Sequence, residues 1–131
     1  MGCAVKVQPA TLIGGPCPGL PRFEDGRGSS QFWREMETLT LIRKQPNLYA
    51  EISGLAPTQR YRFYNVLLSA VDYGVADKLL LGSDWPITGQ KETEKALRDV
   101  NLWAQGTNLP KVSEQVIHAV LEENAAKALK L

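Results

Sequence analysis

Short apolar runs alternate along this chain with longer segments in which apolar residues recur every three or four positions. Leu48, Ala50 and Ile52 alternate with Tyr49, Glu51 and Ser53, which predicts a strand over 48–53 with one apolar face. Leu79–Leu81 is a continuous apolar run that is too short for a helix and is followed at once by Gly82. Such a run is typical of a strand that is buried on both faces of a parallel sheet.

Amphipathic helices are predicted before, between and after these strands. The first follows the N-cap candidates Ser29 and Ser30 and ends at Pro46-Asn47. The second starts near Ala56-Pro57-Thr58 and stops at Gly74, the third runs from Glu92 to Ala104, and Ser113 caps the fourth. A last turn or short helix covers 124–129. The apolar positions that define the four faces are Phe32, Trp33, Met36 and Leu39; Phe63, Val66, Leu67, Ala70 and Val71; Leu97, Val100, Trp103 and Ala104; and Val116, Ile117, Val120 and Leu121.

Residues 1–28 are rich in glycine and proline, which favour loops, and they diverge from the pattern of strands and helices in the rest of the chain. One short strand is expected within Val5–Ile13, and the glycines and prolines of 14–21 predict a loop. Strands that alternate with helices indicate an α/β fold of parallel βαβ units with right-handed crossovers. With 131 residues, the chain is expected to form one domain over 1–131.

Composition and charge exclude several classes of partner. A net charge of +1, with dispersed basic residues, gives no electrostatic reason to expect nucleic-acid or membrane-surface binding. No segment reaches the ~20 apolar residues that a membrane-spanning helix needs. Cys3 and Cys17 form neither a disulfide framework nor a zinc spacing, so we expect reduced thiols and a cytoplasmic protein.

The candidate chemistry lies in Gly82-Ser83-Asp84-Trp85-Pro86, directly after the Leu79–Leu81 strand. In parallel α/β folds the reactive groups sit at the carboxyl ends of strands. A carboxylate at that position is therefore a candidate catalytic group, although a turn residue or helix N-cap explains Asp84 equally well from spacing alone.

The segment 82–86 resembles the last-strand motif of the amidohydrolase superfamily, and most closely that of its amidohydrolase-related group of metal-dependent hydrolases and decarboxylases. Residues 46–55 resemble the preceding strand of that group, and 123–129, with its Asn-Ala pair, resembles its final helix. The resemblance covers roughly 30–131. It implies the C-terminal portion of a (β/α)8 TIM barrel, since a complete barrel needs about 250 residues.

The resemblance implies a divalent metal, usually zinc, at the mouth of the barrel. Asp84 matches the aspartate that binds this metal and accepts a proton from the attacking water, whose pKa the metal lowers. Ser83 and Trp85 are then candidate contacts for a small-molecule substrate. The family's His-X-His ligands have no counterpart here, and Leu12 stands where another histidine ligand is expected.

The remaining ionisable groups do not replace those ligands. His118 lies out of phase with the apolar face of its helix, which predicts a solvent-exposed side chain rather than a ligand. Glu51 would point into the same mouth, but carboxylates without imidazole suit magnesium or calcium better than zinc.

Two functions follow from this pattern. The first is the C-terminal part of a metal-dependent hydrolase acting on a small ester, lactone or amide, or catalysing a related decarboxylation. The alternative is a non-catalytic α/β fragment or interaction module that has lost the metal site. In either case the missing strands predict open sheet edges, and hence a partner chain or self-association that completes the barrel.

Overall fold

The computed structural model describes residues 3–6, 13–14, 31–52, 60–83, 85–86 and 88–130. The described part is a small sheet of strand order β2-β1-β3-β4 with helices around it. The strands are β1 (Cys3–Lys6), β2 (Ile13–Gly14), β3 (Leu48–Glu51) and β4 (Leu79–Leu80). The helices are α1 (Gln31–Lys44), α2 (Arg60–Asp72), α3 (Gln90–Arg98), α4 (Glu114–His118) and α5 (Asn124–Leu129).

Three of the strands run parallel, in agreement with the predicted βαβ units. Cys3 pairs with Leu48 in the β1–β3 ladder, and Ala50 pairs with Leu79 in the β3–β4 ladder. The crossover from β3 to β4 contains α2, as a parallel connection requires. The mixture of helices with a mainly parallel sheet confirms the predicted α/β class.

The alternation along β3 separates two faces of the sheet. Leu48, Ala50 and Ile52 are buried, whereas Tyr49 and Glu51 are only half-buried. The buried set shares one hydrophobic core with residues of the surrounding helices, among them Leu39, Ile42, Phe63, Leu67, Leu97 and Ile117. The helices therefore cover one face of β3, and the face that carries Glu51 is the less covered one.

The sequence predicted most of the helical faces and ends correctly. Phe63, Val66, Leu67 and Ala70 are buried, and Gly74 follows α2 with φ +69°, which favours glycine. The Ser113 hydroxyl accepts a hydrogen bond from the Val116 amide, which confirms the predicted cap. The predicted starts of α1 and α2 fall at 29–30 and 56–58, which are outside the described residues.

Several expectations were wrong. Val71 is 43% exposed, and the apolar run ends its ladder at Leu80 rather than Leu81. One strand was expected within 5–13, but the structure has two, β1 and β2. β1 pairs antiparallel with β2 on one side and parallel with β3 on the other.

The predicted third helix over 92–104 is also interrupted. Asp99 leaves helical geometry at φ −87° and ψ 4°, and 3-10 turns follow over Val100–Ala104. Val100 and Ala104 in this segment are buried as expected, whereas Trp103 is 45% exposed. The last helical segment is continuous through a π-helical stretch, Ala119–Glu123, which joins α4 to α5.

Among the described residues, a side chain rather than a strand contacts the outer edge of β4. The Leu80 carbonyl accepts a hydrogen bond from the Ile52 amide at 2.9 Å, so the Leu79 carbonyl, which alternates with it, faces away from β3. The fully buried Asn124 amide donates from Nδ2 to the carbonyls of Ala76 and Leu79, both at 2.9 Å. The first turn of α5 thus holds the amino end of β4.

Lysine 78 fixes the same end of the strand to α1. Its Nζ donates to the carbonyls of Ile42 and Gln45, both at 2.7 Å. These carbonyls lie in the last turn of α1 and just beyond it, where the helix dipole favours a cation. The amino end of β4 is therefore attached to both the first and the last described helices.

Candidate functional site

The predicted site lies at the carboxyl end of β4, opposite to the end that Asn124 and Lys78 hold. Leu81, Gly82 and Ser83 leave the ladder and are half-buried. The next residue, Asp84, lies outside the described residues. Its place in the chain, four positions beyond the last paired residue of β4, is the place that the sequence predicted for a reactive carboxylate.

A hydroxyl closes the loop that follows Ser83. The buried Thr88 side chain donates from Oγ1 to the Ser83 carbonyl, so 83 and 88 are held together while Trp85 and Pro86 lie on the surface. This contact was not predictable from the sequence, because a threonine in a loop follows no pattern that indicates its acceptor.

The far side of the loop is fixed to the start of α3. The Gly89 amide donates to Glu92 Oε2 at 2.8 Å, and Thr93 Oγ1 donates to the Gly89 carbonyl at 3.0 Å. Both contacts use groups at the first turn of α3, where a carboxylate is favoured by the helix dipole. The loop over 83–88 therefore has anchored ends.

Trp85 is 79% exposed, and its peptide bond to Pro86 is cis. The sequence placed this indole either in the wall of the site or packed beneath the loop. Because the Trp85 side chain is largely exposed, it is not packed beneath the described part of the loop. A role in substrate contact stays a prediction, as it does for Ser83.

Glu51 lies near the same edge of the sheet. It is the last residue of β3, it occupies the register position beside Leu80, and it is half-buried. Because the carboxyl ends of parallel strands meet at one edge, Glu51 and the loop after β4 belong to the same end of the sheet.

His118 lies elsewhere, on the last helical segment. Its side chain is 57% exposed, with Nδ1 at 3.1 Å from Glu123 and Nε2 at 3.5 Å from Glu122. Lys127 donates to Glu123 at 2.7 Å, and this contact is the main reason why the pKa of Glu123 is lowered, with His118 adding to it. The predicted surface position of His118 is confirmed.

The described positions among these do not form a metal site by themselves. Within the described residues, no three side chains of His, Cys, Asp or Glu are close enough together to hold a metal ion. A catalytic zinc normally takes three protein ligands. The residues that the structure describes therefore do not by themselves fit a resident zinc.

A match to a known sequence profile shows the family of the chain. The sequence profile of the Amidohydrolase family matches residues 14–131, which is most of the chain. The chain belongs to the amidohydrolase superfamily. This membership confirms the family that 82–86 and its companion segments indicated, and amidohydrolases are generally metal-dependent hydrolases of small molecules. Searches of curated proteins and of solved structures gave no match to the chain.

The described helices were also compared with the requirements of a membrane span. None of them combines the length and the apolar character that would let it cross a bilayer.

Proposed function

We propose that this chain is the C-terminal part of a metal-dependent hydrolase of the amidohydrolase-related group. Its substrate would be a small ester, lactone or amide, or the substrate of a related decarboxylation. The observation that carries the proposal is the position of Gly82 and Ser83 just beyond the carboxyl end of a parallel strand, with Asp84 next in the chain.

In this proposal, Asp84 supplies a metal ligand and the proton acceptor for the attacking water. A carboxylate suits both roles, because its oxygens bind divalent cations and it is ionised at neutral pH. Ser83 and Trp85 flank it on either side and are the proposed substrate contacts. The metal, zinc in the complete enzyme, would polarise the carbonyl that is attacked.

The fold supports a barrel origin. The order β1, β3, β4 is that of successive parallel strands, and helices cover the apolar face of β3 while Tyr49 and Glu51 lie on the other. A barrel strand has this arrangement, with one face toward the helices and one toward the interior. We therefore propose that 1–131 form one partial TIM-barrel domain.

Within the described residues no three His, Cys, Asp or Glu side chains form a cluster, so the proposed site needs further ligands beside Asp84. We propose that they lie on the earlier strands of the barrel, supplied by a further stretch of the same protein or by a partner chain, whereas self-association would cover the open sheet edges only. The isolated chain is then inactive. A cytoplasmic location remains a prediction from the sequence.

One observation favours the alternative function. The only histidine of the chain is exposed on the last helical segment and is paired with glutamates, far along the chain from 82–86. A chain whose only imidazole is exposed and paired with glutamates is what a non-catalytic fragment or interaction module would also show.

The test begins with the DNA upstream of Met1, read in all frames for a His-X-His that follows an apolar run. The longest protein that joins such a segment to this chain is then purified, and its zinc content and its hydrolysis of small esters and lactones are measured. Asp84→Asn should remove activity and lower the zinc content. Asp77→Asn is the matched control, because Asp77 is an exposed aspartate before the opposite end of β4 and should change neither.

An upstream region without such a motif favours the non-catalytic alternative. Full activity in the Asp84→Asn protein would contradict the assigned role of Asp84, whatever the origin of the other ligands.

A further inference from the structure

A groove lies between the first turn of α2 and the segment formed by α3 with the 3-10 turns that follow it. We call it the Arg60–Trp103 groove; its lining includes Arg60, Phe63, Lys95, Asp99 and Trp103, and its volume is about 630 Å³. This volume lies within the range of small-molecule pockets, about 300–1,000 Å³. None of the residues 81–86 contributes to its described lining.

The groove combines an apolar floor with an aromatic wall. Phe63 and Val100 are buried and also line it. The indole of Trp103 is 45% exposed, and Tyr61 contacts it edge to face with ring centroids 5.9 Å apart. This contact restricts the orientation of the indole. A planar aromatic ligand gains more binding free energy from such a wall than a non-aromatic ligand does, because offset or edge-to-face ring contacts add to the burial of apolar surface.

The groove is lined by two cations, Arg60 and Lys95, and by two carboxylates, Glu92 and Asp99, and within the described part of the chain all of them except Arg60 have a partner. Lys95 and Asp99 form an ion pair with each other, and Glu92 accepts the hydrogen bond of the Gly89 amide. Arg60 is the exception: among the described residues its guanidinium makes neither an ion pair nor a hydrogen bond. A guanidinium binds a carboxylate through two parallel hydrogen bonds, with both charge and geometry matched.

We propose that the Arg60–Trp103 groove is a binding site for a small planar aromatic carboxylate. The ring lies against Trp103 over the floor formed by Phe63, and the carboxylate pairs with Arg60. The proposal depends only on the groove and is independent of the role of Asp84.

The test uses 2-naphthoate as the probe and the neutral 2-naphthylmethanol as its matched control. Binding to the full chain is followed by two-dimensional NMR, through the indole N–H signals of Trp103 and Trp85 and the backbone amides around Arg60. We expect a saturable shift at Trp103, no shift at Trp85, and affinity for 2-naphthoate at least about tenfold higher than for the alcohol.

Variants separate the two halves of the site. Arg60→Gln should lower the affinity for 2-naphthoate about tenfold or more and leave that for the alcohol unchanged. Arg43→Gln, an exposed arginine at the end of α1, is its control and should change neither. Trp103→Leu should weaken the binding of both probes, and Trp103→Phe should retain part of it.

Each variant spectrum must first show the dispersed amide signals of the parent chain. Equal affinity for the two probes, or an Arg60→Gln protein that binds 2-naphthoate as well as the parent does, would overturn the proposal. So would the absence of saturable shifts at Trp103.

Discussion

The Asn124 side chain offers the sharpest test of how the chain protects the edge of β4. Its Nδ2 makes two hydrogen bonds of 2.9 Å to the carbonyls of Ala76 and Leu79, and the side chain is fully buried. Asn124→Ala removes both donors and leaves space beside the strand. A buried carbonyl left without a donor costs about 1–3 kcal/mol.

The free-energy cost of losing the donor differs between the two carbonyls. The bond to Leu79 is buried, whereas the bond to Ala76 is only partly so, and water can replace the donor there. We therefore expect Asn124→Ala to lower the free energy of unfolding by about 2–4 kcal/mol, with the lost packing included. Because the stability of a domain is about 5–15 kcal/mol, this is a large fraction of the whole.

Asn65→Ala is the matched control. Asn65 also donates from Nδ2 to a backbone carbonyl, that of Tyr61 at 3.0 Å, but this bond is exposed and lies within its own helix. We expect a loss of about 1 kcal/mol or less for it. Urea unfolding followed by circular dichroism gives both values. A loss for Asn124→Ala no larger than that for Asn65→Ala would refute the assigned role of Asn124.

Three further predictions concern the loop after β4 and the edges of the sheet. Thr88→Val should lower the free energy of unfolding by about 1 kcal/mol in urea unfolding, because it removes the bond to the Ser83 carbonyl, and Thr88→Ser should retain most of that stability; a Thr88→Val protein as stable as the parent would contradict the role of this bond. In the complete enzyme, Trp85→Ala should lower the turnover rate strongly and the melting temperature only slightly, since the indole is 79% exposed. A large fall in melting temperature with unchanged turnover would show that the residue is structural. The isolated chain should be marginally stable, oligomeric or prone to aggregate in size-exclusion chromatography and thermal unfolding, and a monodisperse monomer with a sharp transition would contradict the fragment interpretation.

Much of the fold followed from periodicity, because burial imposes it. The faces built on Phe63 and Ile117 were predicted correctly, since each buried set repeats at helical spacing. The interruption at Asp99 was missed, because apolar residues at i and i+3 suit an α-helix and a 3-10 turn alike. Val71 was placed wrongly, because periodicity shows which residues share a face and not whether a neighbour covers its margin.

The site was predictable only in part. The position of 82–86 beyond β4 followed from the apolar run that ends at a glycine. The bond from Thr88 to Ser83 and the bonds from Asn124 to the distant carbonyls of Ala76 and Leu79 were not predictable, because they depend on how loops and helices pack. The Asn-Ala pair at 124–125 indicated the family resemblance, but it did not predict that Asn124 donates hydrogen bonds to the edge of β4.

The central claim is that this chain carries one ligand of a metal site that other residues complete. Elemental analysis of the purified chain, after dialysis from zinc-containing buffer, tests it most directly, beside Asp84→Asn and the control Asp77→Asn. We predict no stoichiometric zinc in any of the three proteins. About one zinc per chain in the parent and in Asp77→Asn, lost in Asp84→Asn, would show that the chain closes the site by itself and would contradict the claim.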